Sequence, residues 1–295
     1  MNVLFTGMTG FIGSALAKVL KNSTEHTVTA LSSKPIDGIR TVLHNGYKFD
    51  KNFLASQGCG GLNALVHLGA FSPKSSATAD DLGLSFSNIE NTKVLLESEL
   101  PHLKKIIYIS TIDVYKSGGL ISEKTFPNPV SLYGQSKLYC ERMSLCKARE
   151  LGVDCTILRI GHVFGPGEEA YKKVIPSAIR SILSDEAVAV YNGGKDRRSF
   201  IYIDDVVKAI INAIHYEGKE KIVNITGNEP LSILEVIDKL EAVSGKSVKR
   251  KYIKTDVMSR DVIFDSSLLK NTLLPEFTPV AVGLKEEYDY MAALQ

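Results

Sequence analysis

The sequence predicts an α/β fold, a doubly wound parallel sheet with a smaller, interleaved C-terminal lobe. Short apolar runs typical of buried strands alternate with segments in which apolar residues recur at helical spacing. Parallel strands need crossover connections, so this alternation indicates one parallel sheet with helices on both faces. After Gly165-Pro166-Gly167 the alternation loosens into shorter elements. The C-terminal part is therefore expected to form the smaller lobe.

Each element follows from its local pattern. The predicted strands cover residues 3–6, 27–31, 64–68, 105–110, 154–159, 187–191 and 222–225. The predicted helices cover residues 13–21, 51–57, 84–100, 132–151 and 174–183, and one more begins at Asp204. We expect the strand at 222–225 to return to the main sheet. The larger domain is then expected to contain residues 1–164 and about 204–225, and the smaller lobe residues 165–203 and 226–295.

Composition argues against several functional classes. The chain is 44% hydrophobic and 23% charged, as expected for an ordered globular protein. Its 35 basic and 33 acidic residues give a net charge of +2, so no general basic field points to nucleic acid. The start lacks a signal peptide and no apolar stretch reaches membrane length, so we expect a cytoplasmic protein with no membrane partner. The four cysteines form no CxxC pair and have no histidine at metal spacing, so they are interpreted as reduced thiols, without a metal site.

The segment between the first strand and the first helix is glycine-rich and reads Thr6-Gly7-Met8-Thr9-Gly10-Phe11-Ile12-Gly13. Amides at a helix N-terminus bind pyrophosphate, and missing side chains let the backbone approach it closely. Alternatively, the glycines only permit a tight turn. The Gly-x-x-Gly-x-x-Gly spacing resembles that of the extended short-chain dehydrogenase/reductase family, whose fold is of the Rossmann type. The resemblance implies a dinucleotide-binding larger domain in which Gly7, Thr9, Gly10, Phe11 and Ile12 bind the cofactor.

The end of the second predicted strand indicates which dinucleotide is bound. In this family an acidic residue usually binds the ribose of NAD there, whereas this chain has Ser32-Ser33-Lys34. Hydroxyl donors and a cation suit a 2′-phosphate, so NADP is preferred over NAD, with a solvated loop as the alternative interpretation. His67-Leu68-Gly69-Ala70 resembles the strand end that lines the cofactor, which implies contacts from Leu68 and Ala70. His67 itself is interpreted as a packed core residue.

Tyr133 and Lys137 lie four residues apart on a predicted helix, so both side chains lie on one face. A free phenol is a poor base at neutral pH, but a neighbouring ammonium lowers its pKa towards the range useful for acid–base catalysis. Such a pair also occurs by chance on helix surfaces. Here Thr111 lies at the end of the fourth predicted strand, the carboxyl edge at which open α/β sheets bind ligands.

The stretch from Glu123 to Lys137 resembles the catalytic region of the family, and the resemblance covers nearly the whole chain. It implies that Thr111 orients the substrate oxygen and that Tyr133 exchanges a proton with it. It further implies that Lys137 binds the nicotinamide ribose and tunes the phenol, so that Tyr133 and Lys137 both contact the cofactor. Asn88 matches an asparagine of the family's active-site helix, and a buried structural role is equally compatible with the sequence.

The second lobe carries candidate substrate residues. The segment from Arg198 to Asp205 resembles the one with which nucleotide-sugar members of the family bind diphosphate, and Arg260 matches a second arginine. A guanidinium fork suits two phosphate oxygens, although arginines at a solvated helix start are also common. His162 occupies the position of a family asparagine that contacts the substrate. The resemblance thus implies a nucleotide-sugar substrate bound by Thr111, His162, Arg198 and Arg260.

Three reactions share these parts: reduction of a 4-keto sugar by NADPH, 4-epimerisation with retained NAD, and 4,6-dehydration. Family dehydratases carry an Asp-Glu pair after the catalytic threonine, whereas Ile112 and Asp113 follow Thr111 here, and isoleucine cannot transfer a proton. The preference for NADP favours the reductase, and the general resemblance to 4-epimerases favours retained NAD. The sequence-based prediction is therefore a 4-keto-sugar reductase by a slight margin, with the 4-epimerase as the alternative. A dinucleotide-sensing regulator without turnover is a further alternative. The helices at 84–100 and 132–151 resemble those through which the family forms a four-helix homodimer.

Overall fold

The fold is given by a computed structural model, in which residues 1–74, 78–116, 118–256 and 260–295 are described. The strands are β1 (Asn2–Thr6), β2 (Thr27–Ser32), β3 (Arg40–Leu43), β4 (Ala64–His67), β5 (Lys105–Thr111), β6 (Leu120–Ile121), β7 (Asp154–Ile160), β8 (His162–Phe164), β9 (Val188–Tyr191), β10 (Arg197–Tyr202), β11 (Ile222–Ile225), β12 (Pro230–Ser232), β13 (Arg250–Ile253) and β14 (Ile263–Phe264). The α-helices are α1 (Phe11–Leu20), α2 (Leu82–Leu96), α3 (Leu132–Leu151), α4 (Val174–Leu183), α5 (Ile203–Ile214), α6 (Ile233–Ser244), α7 (Ser267–Thr272) and α8 (Val280–Ala292).

The central sheet confirms the predicted fold class. It has seven strands in the order β11-β7-β5-β4-β1-β2-β3, and the pairs from β3 to β5 are parallel. Every residue of β4 and β5 is buried, as expected for strands covered on both faces. The strand order reverses between β1 and β4, because β2 and β3 lie to one side and β4 and β5 to the other. Open α/β sheets bind ligands at the carboxyl ends of the strands at such a reversal.

The long helix α3 has the predicted bounds because both of its ends are capped. The Ser131 hydroxyl accepts a hydrogen bond from the Gly134 amide, and Gly152 ends the helix in the left-handed conformation, with a φ of 67°. The helix predicted at 84–100 begins earlier, at Leu82, because the Asp81 carboxylate accepts a hydrogen bond from the Leu84 amide. It ends at Leu96, before the predicted bound.

Two features of the first hundred residues differ from the prediction. The helix predicted at 51–57 begins later, at residue 53, and most of it is a π-helical turn, Ala55–Cys59, in which Gly58 has a φ of 71° that does not fit a regular helix. The strand β3 was missed, because Val42 is its one buried residue and the strand therefore lacks an apolar run.

The chain divides into two compact units. Unit 1 contains residues 1–116, 126–159 and 207–223, and unit 2 contains residues 117–125, 160–206 and 224–295. The segment 117–125 lies in unit 2, although the sequence-based division assigned it to the larger domain. Its strand β6 pairs with β14 through Leu120 and Ile263, which explains this placement.

The described part of the chain contains no helix that is long and apolar enough to cross a bilayer.

Candidate active site

The turn between β1 and α1 is built on two glycines that packing requires. Gly7 has a φ of 75°, and a Cβ there would lie 2.6 Å from the Gly69 amide nitrogen. A Cβ on Gly13 would lie 2.1 Å from the Gly7 carbonyl oxygen. Side chains cannot fit at these distances, so the backbone closes on itself only with glycine at both positions.

Gly10 is different, because the fold has room for a side chain at this position. Its φ is −80°, and a Cβ would lie 3.4 Å from its nearest neighbour, an ordinary contact distance. Gly10 is the N-cap of α1 and Thr9 beside it is exposed, whereas Phe11 and Ile12 are half-buried in the first turn. The turn therefore presents an accessible backbone at the positive end of a helix dipole, which suits a phosphate group.

The end of β2 carries the residues that predicted NADP. The buried Ser32 hydroxyl accepts a hydrogen bond from the Lys34 amide at 3.2 Å, so this hydroxyl shapes the local turn. Ser33 and Lys34 are exposed. Two of the three predicted residues are therefore accessible to a ligand.

The end of β4 packs against the end of β1. The Gly69 amide donates a hydrogen bond to the Thr6 hydroxyl at 2.8 Å, and Leu68 and Ala70 on either side are half-buried. His67 lies in the core, as predicted, with ring nitrogens 2.7 Å from the Thr6 hydroxyl and 3.1 Å from that of Thr92. Burial lowers the pKa of His67 to about 3, so this imidazole is neutral at physiological pH.

The ammonium group of Lys137 is buried against β5, near the carboxyl end of the strand. It is 3% exposed, its Nζ donates to the Ile109 carbonyl at 2.7 Å, and the same Nζ lies 4.4 Å from the centre of the Tyr108 ring. Burial lowers the pKa of Lys137 to about 8, and the nearby Cys140 and Glu141 oppose this shift. The ammonium form still predominates at pH 7. Tyr133, one turn earlier on the same helix, is also buried.

Gly134 brings the start of α3 close to the end of β5. A Cβ at Gly134 would lie 2.4 Å from the Asp113 carbonyl oxygen, so no larger residue fits against this turn. Thr111 ends β5, and its hydroxyl accepts a hydrogen bond from the Asp113 amide at 3.2 Å. The first turn of α3 therefore lies against the turn that follows Thr111 at the carboxyl end of β5.

Asn88 has the structural role that the sequence left open. This buried side chain accepts a hydrogen bond from the Phe71 amide at 2.7 Å and donates one to the Ser136 hydroxyl at 3.2 Å. It thereby ties α2 to the first turns of α3 and holds the loop after β4.

In unit 2, Arg198 lies on β10 and is already paired. Its guanidinium donates hydrogen bonds to the Asp196 carboxylate at 2.9 Å and to the Arg260 carbonyl oxygen at 2.5 Å. The two predicted arginines are therefore neighbours through this backbone contact, and Arg260 is exposed. The guanidinium of Arg197 instead donates a hydrogen bond to the Pro230 carbonyl oxygen.

His162 is the first residue of β8 and lies opposite Phe200 on the neighbouring strand β10. Its Nε2 is shielded from solvent and has no hydrogen-bond partner among the described residues. Burial, together with the charges of Arg198 and Lys173, lowers the pKa of His162 to about 3. A neutral imidazole with an unsatisfied nitrogen is suited to hydrogen-bonding a polar ligand.

The profile of the NAD dependent epimerase/dehydratase family matches residues 3–226 of this chain. The chain belongs to this family. Among curated proteins of the family, the uncharacterized UDP-glucose epimerase YtcB of Bacillus subtilis is 28% identical over 265 residues, which span 83% of each chain. The dTDP-D-glucose 4,6-dehydratase of Dictyostelium discoideum is 29% identical over 269 residues, which span 82% of this chain and 62% of the relative.

Solved structures show the same fold over the whole chain. The UDP-glucuronic acid 4-epimerase from Bacillus cereus, in complex with UDP-glucuronic acid and NAD, superposes with a TM-score of 0.84. Its sequence is 28% identical, and the match covers 100% of both chains. The extended short-chain dehydrogenase/reductase resemblance and the Rossmann-type fold are thus confirmed. The expected preference for NADP is not supported, because this related enzyme was solved with NAD.

A buried charge network, not predicted from the sequence, joins α3 to β7 and β5. Glu141 on α3 accepts hydrogen bonds from Nε and Nη2 of Arg159 on β7, at 2.9 and 2.7 Å, and from the Ser110 hydroxyl at 2.5 Å. Arg159 also donates to the Tyr115 hydroxyl at 2.6 Å. An arginine between the apolar residues Leu158 and Ile160 of a predicted buried strand was the available signal, since such a charge is buried only with a partner.

Proposed function

We propose that this chain is a nucleotide-sugar 4-epimerase that uses retained NAD. The observation that carries the proposal is the placement of Tyr133 and Lys137 on the first turns of α3, against the end of β5 that carries Thr111. Tyrosine, lysine and threonine at the carboxyl edge of a parallel sheet suit proton exchange with a hydroxyl of the substrate. The similarity over the full chain to an enzyme that epimerises a nucleotide sugar supports the same class of reaction.

The residues of the first turn fit a dinucleotide. Gly7 and Gly13 are required by the fold, but Gly10 has room for a side chain and no packing reason to lack one. A ligand that approaches the backbone explains its identity, and the N-terminus of α1 suits a pyrophosphate. In this proposal Gly7, Thr9, Gly10, Phe11 and Ile12 hold the pyrophosphate. Leu68, Ala70 and Lys137 contact the rest of the cofactor.

Each catalytic candidate has a separate task. A bound NAD supplies reversible acceptance of hydride from a sugar carbon. Tyr133 removes the proton from the hydroxyl on that carbon and later returns it. Lys137 favours the phenolate form of Tyr133 through its positive charge, which is retained at pH 7 because its pKa is about 8. Thr111 orients the reacting oxygen with its hydroxyl.

Unit 2 supplies candidate groups for the rest of the substrate. Arg198 offers a guanidinium for the diphosphate, in exchange for part of its pairing with Asp196. Arg260 is exposed and its backbone already contacts Arg198, so it is the second phosphate candidate. The unsatisfied Nε2 of His162 is a candidate to hydrogen-bond the sugar. Ile112, which is buried, follows Thr111 and cannot move protons, which disfavours dehydration.

A second candidate function is the reduction of a 4-keto nucleotide sugar by NADPH. It is favoured by Ser33 and Lys34, which are exposed at the end of β2 and leave no carboxylate to repel a 2′-phosphate. The two functions differ in what happens to the cofactor: an epimerase returns it unchanged, and a reductase consumes one NADPH per product.

The test incubates the purified protein with UDP-glucose, UDP-N-acetylglucosamine or UDP-glucuronic acid and separates the sugar products by chromatography. We expect 4-epimerisation of one substrate without net consumption of NAD. Tyr133→Phe should lower turnover by about 10²–10⁴-fold, as for loss of an acid–base group. Tyr252→Phe is the control, because Tyr252 is 62% exposed and lies on β13, outside α2 and α3.

Stoichiometric oxidation of NADPH with a 4-keto sugar, and no epimerisation, would establish the second candidate instead. Equal activity of the Tyr133→Phe and Tyr252→Phe variants would contradict both candidate functions. The dinucleotide released by denaturation gives an independent result, because retained NAD supports the epimerase and an empty site with strong NADPH binding supports the reductase.

We further propose that the chain forms a homodimer through α2 and α3. Apolar side chains are exposed on these helices, including Leu82, Phe86 and Tyr139, at 73%, 53% and 57% exposure. The mass in solution should correspond to two chains, and Phe86→Glu should halve it. Phe126→Glu, at an exposed site outside the helices, is the control. A monomeric wild-type protein would contradict this proposal.

A further inference from the structure

A second cluster of chemically active side chains lies in unit 1, outside the candidate active site. Glu25 and His26 precede β2, and His215 follows α5. One ligand atom from each of the three side chains can be chosen so that all lie within 4.8 Å of one another. The carboxylate of Glu25 is 2.9 Å from Nε2 of His215 and 3.9 Å from Nε2 of His26. Two imidazoles and a carboxylate are a donor set that Zn²⁺ accepts.

His26 provides the independent observation that points to a ligand. Its residue is 6% exposed, and neither ring nitrogen has a hydrogen-bond partner among the described residues. An imidazole always offers one donor and one acceptor, and burying both without partners is unfavourable. A metal ion would satisfy one nitrogen directly.

The backbone holds the two histidines in position. The His26 amide donates to the Ser23 hydroxyl at 3.2 Å, and the His215 amide donates to the Asn212 carbonyl at 3.2 Å. The two rings stack with centroids 5.0 Å apart and an interplanar angle of 24°. Near-parallel rings can direct one nitrogen each towards a shared point. These contacts fix the backbone at both histidines and place their rings side by side.

We propose that Glu25, His26 and His215 form a binding site for a divalent transition metal ion, with Zn²⁺ as the best match. Tetrahedral coordination at about 2.0–2.1 Å places donors about 3.3 Å apart, so the donors must close by at most about 1.5 Å. Glu25 and His215 are exposed and can rotate to do so. The fourth position is left for water. The ion would link the residues that precede β2 to the residue that follows α5. This role is structural and independent of the proposed catalysis.

One nearby charge opposes binding. The N-terminal ammonium of Met1 donates to the carbonyl oxygen of Glu25 at 3.0 Å, so a cation at the site experiences some repulsion. The carboxylate of Glu25 offsets this charge. We therefore expect an affinity below that of four-ligand structural zinc sites, which bind with full protein coordination.

The test titrates ZnCl₂ into chelator-treated, full-length protein in competition with a chromogenic chelator. We expect one Zn²⁺ per chain. Glu25→Gln and His215→Ala should each weaken binding by at least about 10–100-fold, the range known even for second-shell changes. His102→Ala removes another exposed histidine and should bind Zn²⁺ like wild type. At 100 times the wild-type Kd, Zn²⁺ should raise the Tm of wild type by about 5–10 °C and that of each ligand variant by about half as much or less.

Co²⁺ gives a spectroscopic check that does not depend on the variants folding. Wild-type protein with one equivalent of CoCl₂ should show visible d–d bands of a nitrogen and oxygen site. Intense near-ultraviolet charge-transfer bands would instead indicate a thiolate, for which the exposed Cys146 is available. That result, an absence of stoichiometric Zn²⁺ binding, or wild-type binding by His215→Ala would overturn the proposal.

Discussion

Replacing Glu141 by glutamine removes one charge from a buried pair and leaves the shape of the side chain unchanged. Glu141 is 1% exposed and Arg159 is 2% exposed, and two hydrogen bonds of 2.9 and 2.7 Å join them. Without the carboxylate, the guanidinium of Arg159 stays buried with no counter-charge within the network. Breaking a buried pair from one side destabilises proteins by about 3–5 kcal/mol. We expect Glu141→Gln to lower the free energy of unfolding by this amount.

The assay is urea unfolding followed by circular dichroism, with the wild type and each variant at the same protein concentration. Glu150→Gln is the control, because Glu150 pairs with Lys147 on the same helix at 2.7 Å but is 66% exposed. Exposed pairs contribute about 0–1 kcal/mol, so this variant should unfold like wild type.

A double variant tests whether the loss of stability comes from the unpaired charge of Arg159. Glu141→Met with Arg159→Met removes both charges and should recover most of the loss, because well-packed apolar replacements of buried pairs are often neutral. A Glu141→Gln variant within about 1 kcal/mol of wild type, equal to Glu150→Gln, would refute the reasoning. It would mean that Arg159 reaches water or another acceptor when its partner is removed.

Three further outcomes are expected. Gly13→Ala places a Cβ 2.1 Å from the Gly7 carbonyl oxygen and should destabilise the protein by about 2–3 kcal/mol, measured by urea unfolding, with loss of NAD binding by calorimetry. Gly134→Ala places a Cβ 2.4 Å from the Asp113 carbonyl oxygen and should lower turnover about 10²-fold by displacing the start of α3. Burial raises the pKa of Glu287 from 4.5 to about 9, so the folded state retains a proton and stability falls as pH rises through this range. Glu287→Gln should therefore raise the free energy of unfolding at pH 8 by about 2 kcal/mol, and an unchanged pH dependence would contradict this.

Local signals made parts of the fold predictable. α3 has its predicted bounds because Ser131 and Gly152 stand at its ends and its apolar spacing is continuous. The strand β5 was predicted nearly to its end because all seven of its residues are buried and most are apolar. The strand β3 was not predicted. It is a half-exposed edge strand with one buried residue, so its sequence pattern does not distinguish it from a loop.

The candidate site was predictable to the extent that its residues are close in sequence. Tyr133 and Lys137 share a helix face, so their spacing alone places them together. The pairing of Arg198 with Asp196 and with the backbone of Arg260 depends on how β10 packs, which no local pattern encodes. The preference for NADP remains a prediction, because the residue type at Lys34 does not by itself establish which dinucleotide is bound.

Glu141 connects the stability of the fold to the chemistry of the site. It neutralises Arg159 on β7, and together with Cys140 it opposes the fall in the pKa of Lys137 that burial causes. In the proposed reaction Lys137 is charged and favours the phenolate of Tyr133, so the carboxylate of Glu141 contributes to the protonation state that this proposal needs. The buried pair also anchors α3 to the sheet through β7 and, by way of the Ser110 hydroxyl, through β5. Under the proposed function, Glu141 therefore has two roles: it fixes the position of α3, and it favours the charged form of Lys137. An apolar contact in its place would supply only the first of these roles.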